Sequence, residues 1–403
     1  MKGSGRFDFD VSLEKLIRKH PNVCSYDVKR VSDIPRDHKM RDFRNIADHV
    51  DTSWKDTYVY TSGQAKGRFV YTAGYFNWLF GDSEKNKELI TLVLDKAEVA
   101  GLAVVVPRRV RFDSGILDSG TLTAISINPN YKRQGLMQLI NLHIKQQMFD
   151  QTDGQPYLLW WDSINSDKGH SLTIFKEKDS TIDFIGAFPI VYRMYDYKRA
   201  VQTLHLASYE KPIVKFTSDI KKGSGVDAKV MDANNADEFY SRFLNRRNPN
   251  KRIQRLWNKD EFIYQSTFSN PFSDDAFTPL YIAYAKSGKI IGASLAYRIP
   301  ITQIGTDNFM FTDHFVVEEG TSISDMRKML REGERLASEE FDIMGGCYLQ
   351  GFDNSNAFTL GFGNLKYAYM SEFPIPRSLV LGLSSSIELN RMPKKSEIFY
   401  DHK

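Results

Sequence analysis

Hydrophobic and polar positions alternate along the first half of the chain in a pattern that mixes helices and strands. Polar residues 34–49 and aromatic residues 74–80 have helical spacing. Residues 89–94 and 99–107 are apolar runs joined by a short polar turn, which predicts a β-hairpin. Residues 121–127 alternate as a half-buried strand does. This order of elements predicts an α/β fold.

A helix follows this last strand after a short turn. Apolar residues between 136 and 148 recur every three or four positions, as on one face of an amphipathic helix. Further strands are predicted at 157–161 and 184–195, with a short helix at 171–176 between them. We predict that these elements form one module, with a mixed, mostly antiparallel sheet flanked by helices.

The second half repeats the plan. A strand at 228–231, a helix at 236–244, a hairpin from 281 to 298, a strand at 309–317 and a helix at 324–341 follow in the same order, with a last strand at 347–350. Residues 99–103 resemble residues 290–294, and an asparagine follows the later strand of each half, Asn165 and Asn354. We therefore predict a duplicated module, with domains at 1–200 and 228–403 and a connector at 201–227.

Composition agrees with two globular domains. The 403 residues are 41% hydrophobic and 26% charged, and the net charge is only +4. Two cysteines, Cys24 and Cys347, form neither a disulfide framework nor a metal-ligand pattern, so we expect no metal. Apolar stretches are too short to span a bilayer, and the first residues lack a signal-peptide pattern. We expect a cytoplasmic protein with no membrane span.

The strongest chemical signal is the turn between the strand at 121–127 and the helix that begins at 136. It carries Lys132 and Arg133 and then Gly135, directly before the helix. The first N–H groups of a helix have no partner within it, and the helix dipole favours negative charge there. Glycine lets the main chain approach a ligand closely. The pattern predicts an anion site, such as one for a diphosphate, although an ordinary solvated turn has the same composition.

Residues 127–137 resemble the acyl-CoA diphosphate loop of the GNAT (N-acetyltransferase-like) superfamily. Ile127, Pro129, Tyr131 and Gly135 occupy positions of the family motif Val-x-Pro-x-Tyr-Arg-x-x-Gly-x-Gly/Ala, whereas Met137 replaces a small residue. The resemblance implies an acyl-CoA co-substrate, acetyl-CoA or another. It implies that Ile125, Ser126 and Ile127 hold the pantetheine arm. The remaining cofactor residues it implies are Lys132, Arg133, Gln134, Gly135, Leu136, Met137 and Asn165.

The same resemblance implies direct attack of an amine on the thioester in a ternary complex. The tyrosine usual in the following helix is not evident, since Phe175 stands nearest to its position. Asp162 and Ser126 are our candidates for proton transfer, and His170 and Tyr192 are further candidates. Asp162 follows two tryptophans at a strand end, where it also suits a structural turn.

The two modules together resemble the tandem arrangement of N-myristoyltransferases and of the Fem-type aminoacyl transferases. The segment after the second-half strand, 318–323, is acidic where the first half is basic, so we predict that only the first module holds the cofactor and that the second, degenerate module shapes the acceptor side. We expect an N-acyltransferase, most readily an N-acetyltransferase, with an amine-bearing small molecule or macromolecule as acceptor. A longer-chain or aminoacyl transferase, or a non-catalytic acyl-CoA-binding or nucleic-acid-binding fold, stays open as an alternative.

Residues 242–259 could serve a nucleic-acid acceptor. Seven basic residues and no acidic one lie in the run from Arg242 to Lys259, and Arg108, Arg109 and Arg111 could extend it. A solvated helical face has the same composition.

Overall fold

A computed structural model of the chain describes residues 8–54, 60–62, 65–81, 84–112, 115–151, 158–163, 182–204, 206, 208–218, 225–245, 253–302, 305–349, 378–384 and 398–399. Its helices are α1 (Phe9–Lys19), α2 (Phe43–Trp54), α3 (Ala73–Phe80), α4 (Leu136–Gln151), α5 (Tyr197–Thr203), α6 (Glu210–Thr217), α7 (Ala233–Phe239), α8 (Lys259–Thr267) and α9 (Ile323–Phe341).

The strands of the first half are β1 (Asp27–Arg30), β2 (Tyr60–Ser62), β3 (Ala65–Phe69), β4 (Ile90–Asp95), β5 (Glu98–Phe112), β6 (Gly115–Ile127), β7 (Leu158–Ser163) and β8 (Ile182–Met194). Those of the second half are β9 (Asp227–Val230), β10 (Ile253–Leu256), β11 (Thr278–Lys286), β12 (Lys289–Thr302), β13 (Thr306–Val317), β14 (Gly345–Leu349), β15 (Ser378–Ser384) and β16 (Ile398–Phe399).

The two halves have the same strand order. In the first half it is β1-β4-β5-β6-β7, antiparallel except for β6 and β7, which are parallel and joined through α4. In the second half it is β9-β11-β12-β13-β14, with β13 and β14 parallel and joined through α9. The predicted fold class, two tandem modules with mostly antiparallel sheets flanked by helices, is confirmed.

Two glycines mark the duplication at the level of single residues. Gly101 pairs with Val93 and with Ile127, and Gly292 pairs with Tyr284 and with Val317. In each half a β-bulge lies directly before the glycine, with Ala100 or Ile291 as the extra residue, and a second bulge follows three residues after the glycine, after Val104 and after Leu295. A Cβ on either glycine would come within 3 Å of the neighbouring strand. The similar segments 99–103 and 290–294 thus occupy equivalent positions, whereas Asn165 and Asn354 lie outside the described residues.

The halves exchange their last strands. β8 leaves the first half and pairs with β14, while β15 leaves the second half and pairs with β7 as well as with β8. In addition, β10 pairs with the outer end of β5. One continuous sheet results, with α1 and α4 packed against one face of its first half. The domain boundaries 1–200, 201–227 and 228–403 stay a prediction. The predicted connector, 201–227, contains helix α6.

The face of the sheet opposite α4 carries a core that draws side chains from both halves. Tyr75 and Trp78 of α3 are 1% and 0% exposed, and both contact Tyr297 of β12. The indole of Trp78 donates to the carbonyl oxygen of Gln265 at 2.8 Å. Because large aromatic side chains contribute the most buried apolar area, this cluster is a principal contact between the halves. The aromatic stretch 74–80 is therefore core.

Three sequence predictions need correction. The helix predicted at 34–49 begins only at Phe43, because the main chain before it forms two 3₁₀ turns, and the Arg41 guanidinium donates to the carbonyl oxygens of Ser32 and Ile34. The end of the helix predicted at 236–244 is a π-helical turn, Tyr240–Leu244. β5 extends beyond its predicted end at 107, because its outer residues pair with β10. The helix predicted at 171–176 lies outside the described residues.

Candidate functional site

Strands β6 and β7 separate part of the way along. They pair in parallel only from Gly120 to Leu122, and α4 begins beyond the far end of β6. Asn128 N–H donates to the carbonyl oxygen of Ala100 at 3.0 Å, so in the antiparallel ladder the main-chain groups of Ile125 and Ile127 point away from β5. Main-chain donors and acceptors therefore face the opening between β6 and β7.

The indole of Trp54 partly fills this opening. Its Nε1–H donates to the carbonyl oxygen of Ile125 at 2.9 Å, and its ring makes an edge contact with Tyr71 at 5.5 Å. One acceptor on the free edge of β6 is therefore already satisfied. The remaining groups suited to a ligand are the N–H of Ile125 and both main-chain groups of Ile127. Trp54 was not predicted from sequence, because nothing local links α2 to β6.

The turn after β6 has left-handed main-chain conformations at Arg133 (φ 65°) and Gly135 (φ 82°). The first α4 hydrogen bond runs from Leu139 N–H to the carbonyl oxygen of Gly135, at 3.0 Å. N–H groups at the start of α4 therefore lack helical acceptors, and among the described residues no side chain caps them. Successive N–H groups in such turns form concave anion-binding surfaces. Lys132 and Arg133 are exposed beside them.

Side-chain hydrogen bonds hold the first part of the turn. The Tyr131 hydroxyl lies 2.9 Å from Glu98 Oε2 and 3.2 Å from Asp95 Oδ2, across the β4–β5 turn. The hydrogen bond with Glu98, followed by burial and the charge of that carboxylate, raises the pKa of Tyr131 to about 12. Asn128 Oδ1 accepts from Asn130 N–H at 3.1 Å. The main chain before Gly135 is thus fixed without use of the N–H groups at the helix start.

An N-terminal segment lies against this turn. A Cβ on Gly135 would be 2.8 Å from Cγ of His20, which caps the C-terminal end of α1. The Tyr26 hydroxyl donates to Gln134 Oε1. Burial, followed by the charge of Asp95, raises the pKa of Tyr26. Both contacts join residues more than 100 positions apart, so sequence patterns could not reveal them.

The predicted cofactor residues fall in two groups. Ile125 and Ile127 lie at the open edge, and residues 132–137 form the turn and the start of α4. Met137, a substitution in the family motif, is 38% exposed and points its side chain to solvent. Asn165 lies outside the described residues. The roles of all these residues stay predictions.

The predicted catalytic residues differ from one another in position. Ser126 is 1% exposed, and its Oγ has no hydrogen-bond partner among the described residues. Its main-chain groups face β5, so only the side chain is available for chemistry. Asp162 lies on β7, paired with Val380 of β15, and its side chain is not described. His170 is outside the described residues.

The equivalent helix start in the second half, that of α9, is capped by a side chain. The N–H of Asp325 donates to Ser322 Oγ at 3.1 Å, so the start of α9 has its own cap. The Asp325 carboxylate lies there too, 3.0 Å from Lys286 Nζ, and that contact lowers its pKa. An incoming anion would meet a carboxylate instead of two cations. The contrast supports a single cofactor site, in the first module.

The basic run at 242–259 is largely neutralised where it is described. Arg242 contacts Glu238 and Glu318, Arg255 contacts Glu261 at 2.7 Å, and Lys259 contacts Asp237 at 2.6 Å. Arg255 is also 1% exposed and stacks on Trp257. Arg246, Arg247, Lys251 and Arg252 lie outside the described residues. The described cations thus stabilise the second half and form no free basic surface for nucleic acid.

In the described ranges no three His, Cys, Asp or Glu side chains come together as a metal site would require. None of the helices described is both long and apolar enough to cross a bilayer.

Comparison with known proteins gives structural matches only. No family model matches the chain, and no curated protein matches it in sequence. Saccharomyces cerevisiae N-myristoyltransferase with bound myristoyl-CoA superimposes with a TM-score of 0.66 at 12% identity, over 93% of this chain and 85% of that one.

Two acetyltransferase-type structures also match. A GCN5-related N-acetyltransferase from Sphaerobacter thermophilus has a TM-score of 0.50 at 12% identity, over 91% of this chain and 98% of its own. A tandem GNAT protein from the clavulanic acid biosynthesis pathway has a TM-score of 0.51 at 8% identity, over 91% and 100%. With its duplicated strand order and its separated β6 and β7, this chain has the GNAT-superfamily fold, present as two modules in tandem.

Proposed function

We propose that the chain is an acyl-CoA-dependent N-acyltransferase whose cofactor site is in the first module. The observation that carries the proposal is the start of α4, which no described side chain caps and which follows two exposed cations and the open edge of β6. A diphosphate would accept from the N–H groups there. The pantetheine arm would run along Ile125 and Ile127. The structures with bound myristoyl-CoA and the tandem GNAT protein support the same cofactor class.

The reaction follows from this placement. The acceptor amine attacks the thioester carbonyl carbon, a C–N bond forms, and the C–S bond breaks to release CoA. A main-chain N–H at the open edge of β6 would stabilise the developing oxyanion. Asp162 would take the amine proton, and the buried hydroxyl of Ser126 would serve the leaving sulfur. Holding both reactants in one cleft would supply much of the rate.

Acetyl is the acyl group that the surroundings of β6 favour. The ring of Trp54, which Tyr71 supports by an edge contact, stands beside Ile125, where a long chain would need space. A longer acyl group is the second candidate, because the N-myristoyltransferase structures superimpose with the higher TM-scores. We expect an amine-bearing acceptor to bind in the cleft between the modules.

An assay of thiol release tests the proposal. Purified protein is incubated with acyl-CoAs of increasing chain length and with a panel of small amines and peptides, and free CoA is measured. We expect release that depends on the amine and declines with chain length, and a loss of at least about a hundredfold in Asp162→Asn, as general-base catalysis predicts. Faster release with longer chains would favour the second candidate. Protein that binds no acyl-CoA at all would contradict the proposal.

A further inference from the structure

Helix α6 presents large apolar side chains to solvent. Phe216 is 62% exposed, Tyr209 55% and Ile213 44%, and the first two are the most exposed large apolar residues of the described chain. Positions 209, 213 and 216 are four and three residues apart, so they share one face of the helix. Pro212 lies at the edge of the same face. We refer to these four residues as the α6 stripe.

The opposite side of the helix is firmly packed. Glu210 is 3% exposed and Val214 is 1% exposed, and Val214 belongs to the core shared by both halves. The helix therefore has a separate buried face, and the exposure of the α6 stripe is not a result of poor docking. Other exposed apolar side chains, such as Val11 and Ile323, lie singly on other helices. Scattered residues of that kind are normal, whereas a contiguous apolar face indicates a contact surface.

The charged residues near the α6 stripe indicate which kind of partner it would bind. Lys215 is exposed next to Pro212 on one side of the stripe, Lys211 is exposed further round the helix on that side, and the only acidic residue of the helix, Glu210, is buried. The exposed surface of α6 is thus apolar with aromatic residues in it and positive at one side. Helices of this composition lie in the plane of a membrane interface, with the apolar face among the acyl chains and lysines at anionic headgroups.

We propose that the α6 stripe docks the protein on an anionic lipid surface. Phe216 and Ile213 would enter the acyl-chain boundary, Tyr209 would lie at headgroup level, and Lys211 and Lys215 would contact lipid phosphates or carboxylates. The contact is peripheral and reversible, since one short helix buries little area. Lipid binding by α6 does not involve the acyltransferase site, so either proposal can be correct if the other is wrong.

Cosedimentation with lipid vesicles tests this surface. Wild-type protein is mixed with phosphatidylcholine vesicles that contain or lack phosphatidylserine. We expect binding to the anionic vesicles that weakens with added salt. The variant Ile213→Ser/Phe216→Ser and the variant Lys211→Glu/Lys215→Glu should each bind at least about tenfold more weakly. Val11→Ser and Ile323→Ser remove apolar side chains of similar exposure and serve as matched controls that bind as wild type does.

Circular dichroism and sedimentation velocity on the same samples complete the test. The serine variant should keep wild-type secondary structure, because Ile213 and Phe216 are exposed. Wild-type protein that fails to bind anionic vesicles would overturn the proposal. So would a wild-type dimer that Ile213→Ser/Phe216→Ser converts to monomer, since the stripe would then be an interface between copies. Equal loss of binding in the controls would also contradict a role for α6.

Discussion

The indole Nε1–H of Trp54, at the end of α2, donates to the carbonyl oxygen of Ile125 on β6 at 2.9 Å. The bond reaches across the opening left where β7 separates from β6, and it fixes the edge strand from the side on which the cofactor would lie. We expect Trp54→Phe to keep an aromatic ring at this position but to leave this carbonyl without its donor. Loss of a partly buried hydrogen bond should lower the free energy of unfolding by about 1 kcal/mol.

Urea denaturation of Trp54→Phe measures this effect, and acyl-CoA titration of the same variant measures its consequence for the site. Trp257→Phe is a control elsewhere in the fold. If Trp54→Phe has wild-type stability and wild-type affinity for acyl-CoA, the bond does not shape the site.

The contact between Gly135 and His20 makes a second prediction. Gly135→Ala places a Cβ 2.8 Å from the imidazole, at a main-chain φ of 82° that residues with a side chain rarely adopt. We expect a loss of at least about 2 kcal/mol in unfolding free energy from strain and overlap together. The double variant His20→Gly/Gly135→Ala should recover only the overlap part, because it also removes His20 Cβ, which would lie 2.9 Å from the new Cβ. Strictly additive effects in this double-mutant cycle would show that the two residues do not touch.

A third prediction concerns the buried ion pair between Arg193 and Glu334. Their side chains are 1% and 0% exposed, and Glu334 also accepts from the Tyr348 hydroxyl at 2.8 Å. Arg193 is on β8, the strand that the first half contributes to the second. Glu334→Gln should therefore cost about 3 to 5 kcal/mol, because a buried guanidinium loses its countercharge.

A double variant distinguishes this explanation from simple loss of packing. Arg193→Met/Glu334→Met removes both charges, and we expect it to be more stable than Glu334→Gln alone. Thermal unfolding of the wild type, Glu334→Gln and Arg193→Met/Glu334→Met measures their relative stabilities. A double variant that is less stable than the single one would mean that the pair contributes net stability of its own.

His49 on α2 makes the stability depend on pH. Burial, followed by the charge of Lys39, lowers its pKa from 6.5 to about 4. The unfolded chain then binds a proton on this group between pH 6.5 and 4 while the folded protein does not, so stability falls as pH falls through that window and is complete above it. The effect of this one group reaches at most about 3 kcal/mol.

The variant His49→Gln lacks the titrating group, so its comparison with the wild type isolates the contribution of His49. Urea unfolding at pH 7 and at pH 5 should show a smaller difference for His49→Gln than for the wild type. An unchanged difference would assign the pH dependence to other groups.

Local patterns were enough to predict the modules and the turn before α4. The hairpin of β4 and β5, the helix after residue 135 and the duplication marked by Gly101 and Gly292 all depend on spacing within a few residues. The contacts of Trp54, His20 and Tyr26 with the candidate site join distant segments, and the exchange of β8 and β15 depends on pairing across the halves. Such contacts are tertiary and leave no periodic signal. The ion pairs of Arg242, Arg255 and Lys259 could not be predicted for the same reason, since their carboxylate partners lie outside the run 242–259.

Calorimetric titration with acetyl-CoA and a longer acyl-CoA tests the central claim, that the start of α4 holds the cofactor diphosphate. Arg133 and Lys96 are a matched pair of exposed cations, each with a left-handed main chain that glycine accepts without strain. Arg133→Gly therefore removes a charge at the site, and Lys96→Gly removes the same charge at the β4–β5 turn.

We predict that the wild type binds acyl-CoA, that Lys132→Ala/Arg133→Gly binds at least about tenfold more weakly because two phosphate contacts are lost, and that Lys96→Gly changes affinity by less than about twofold. Equal affinity in all three proteins, or no binding by a folded wild type, would contradict the account.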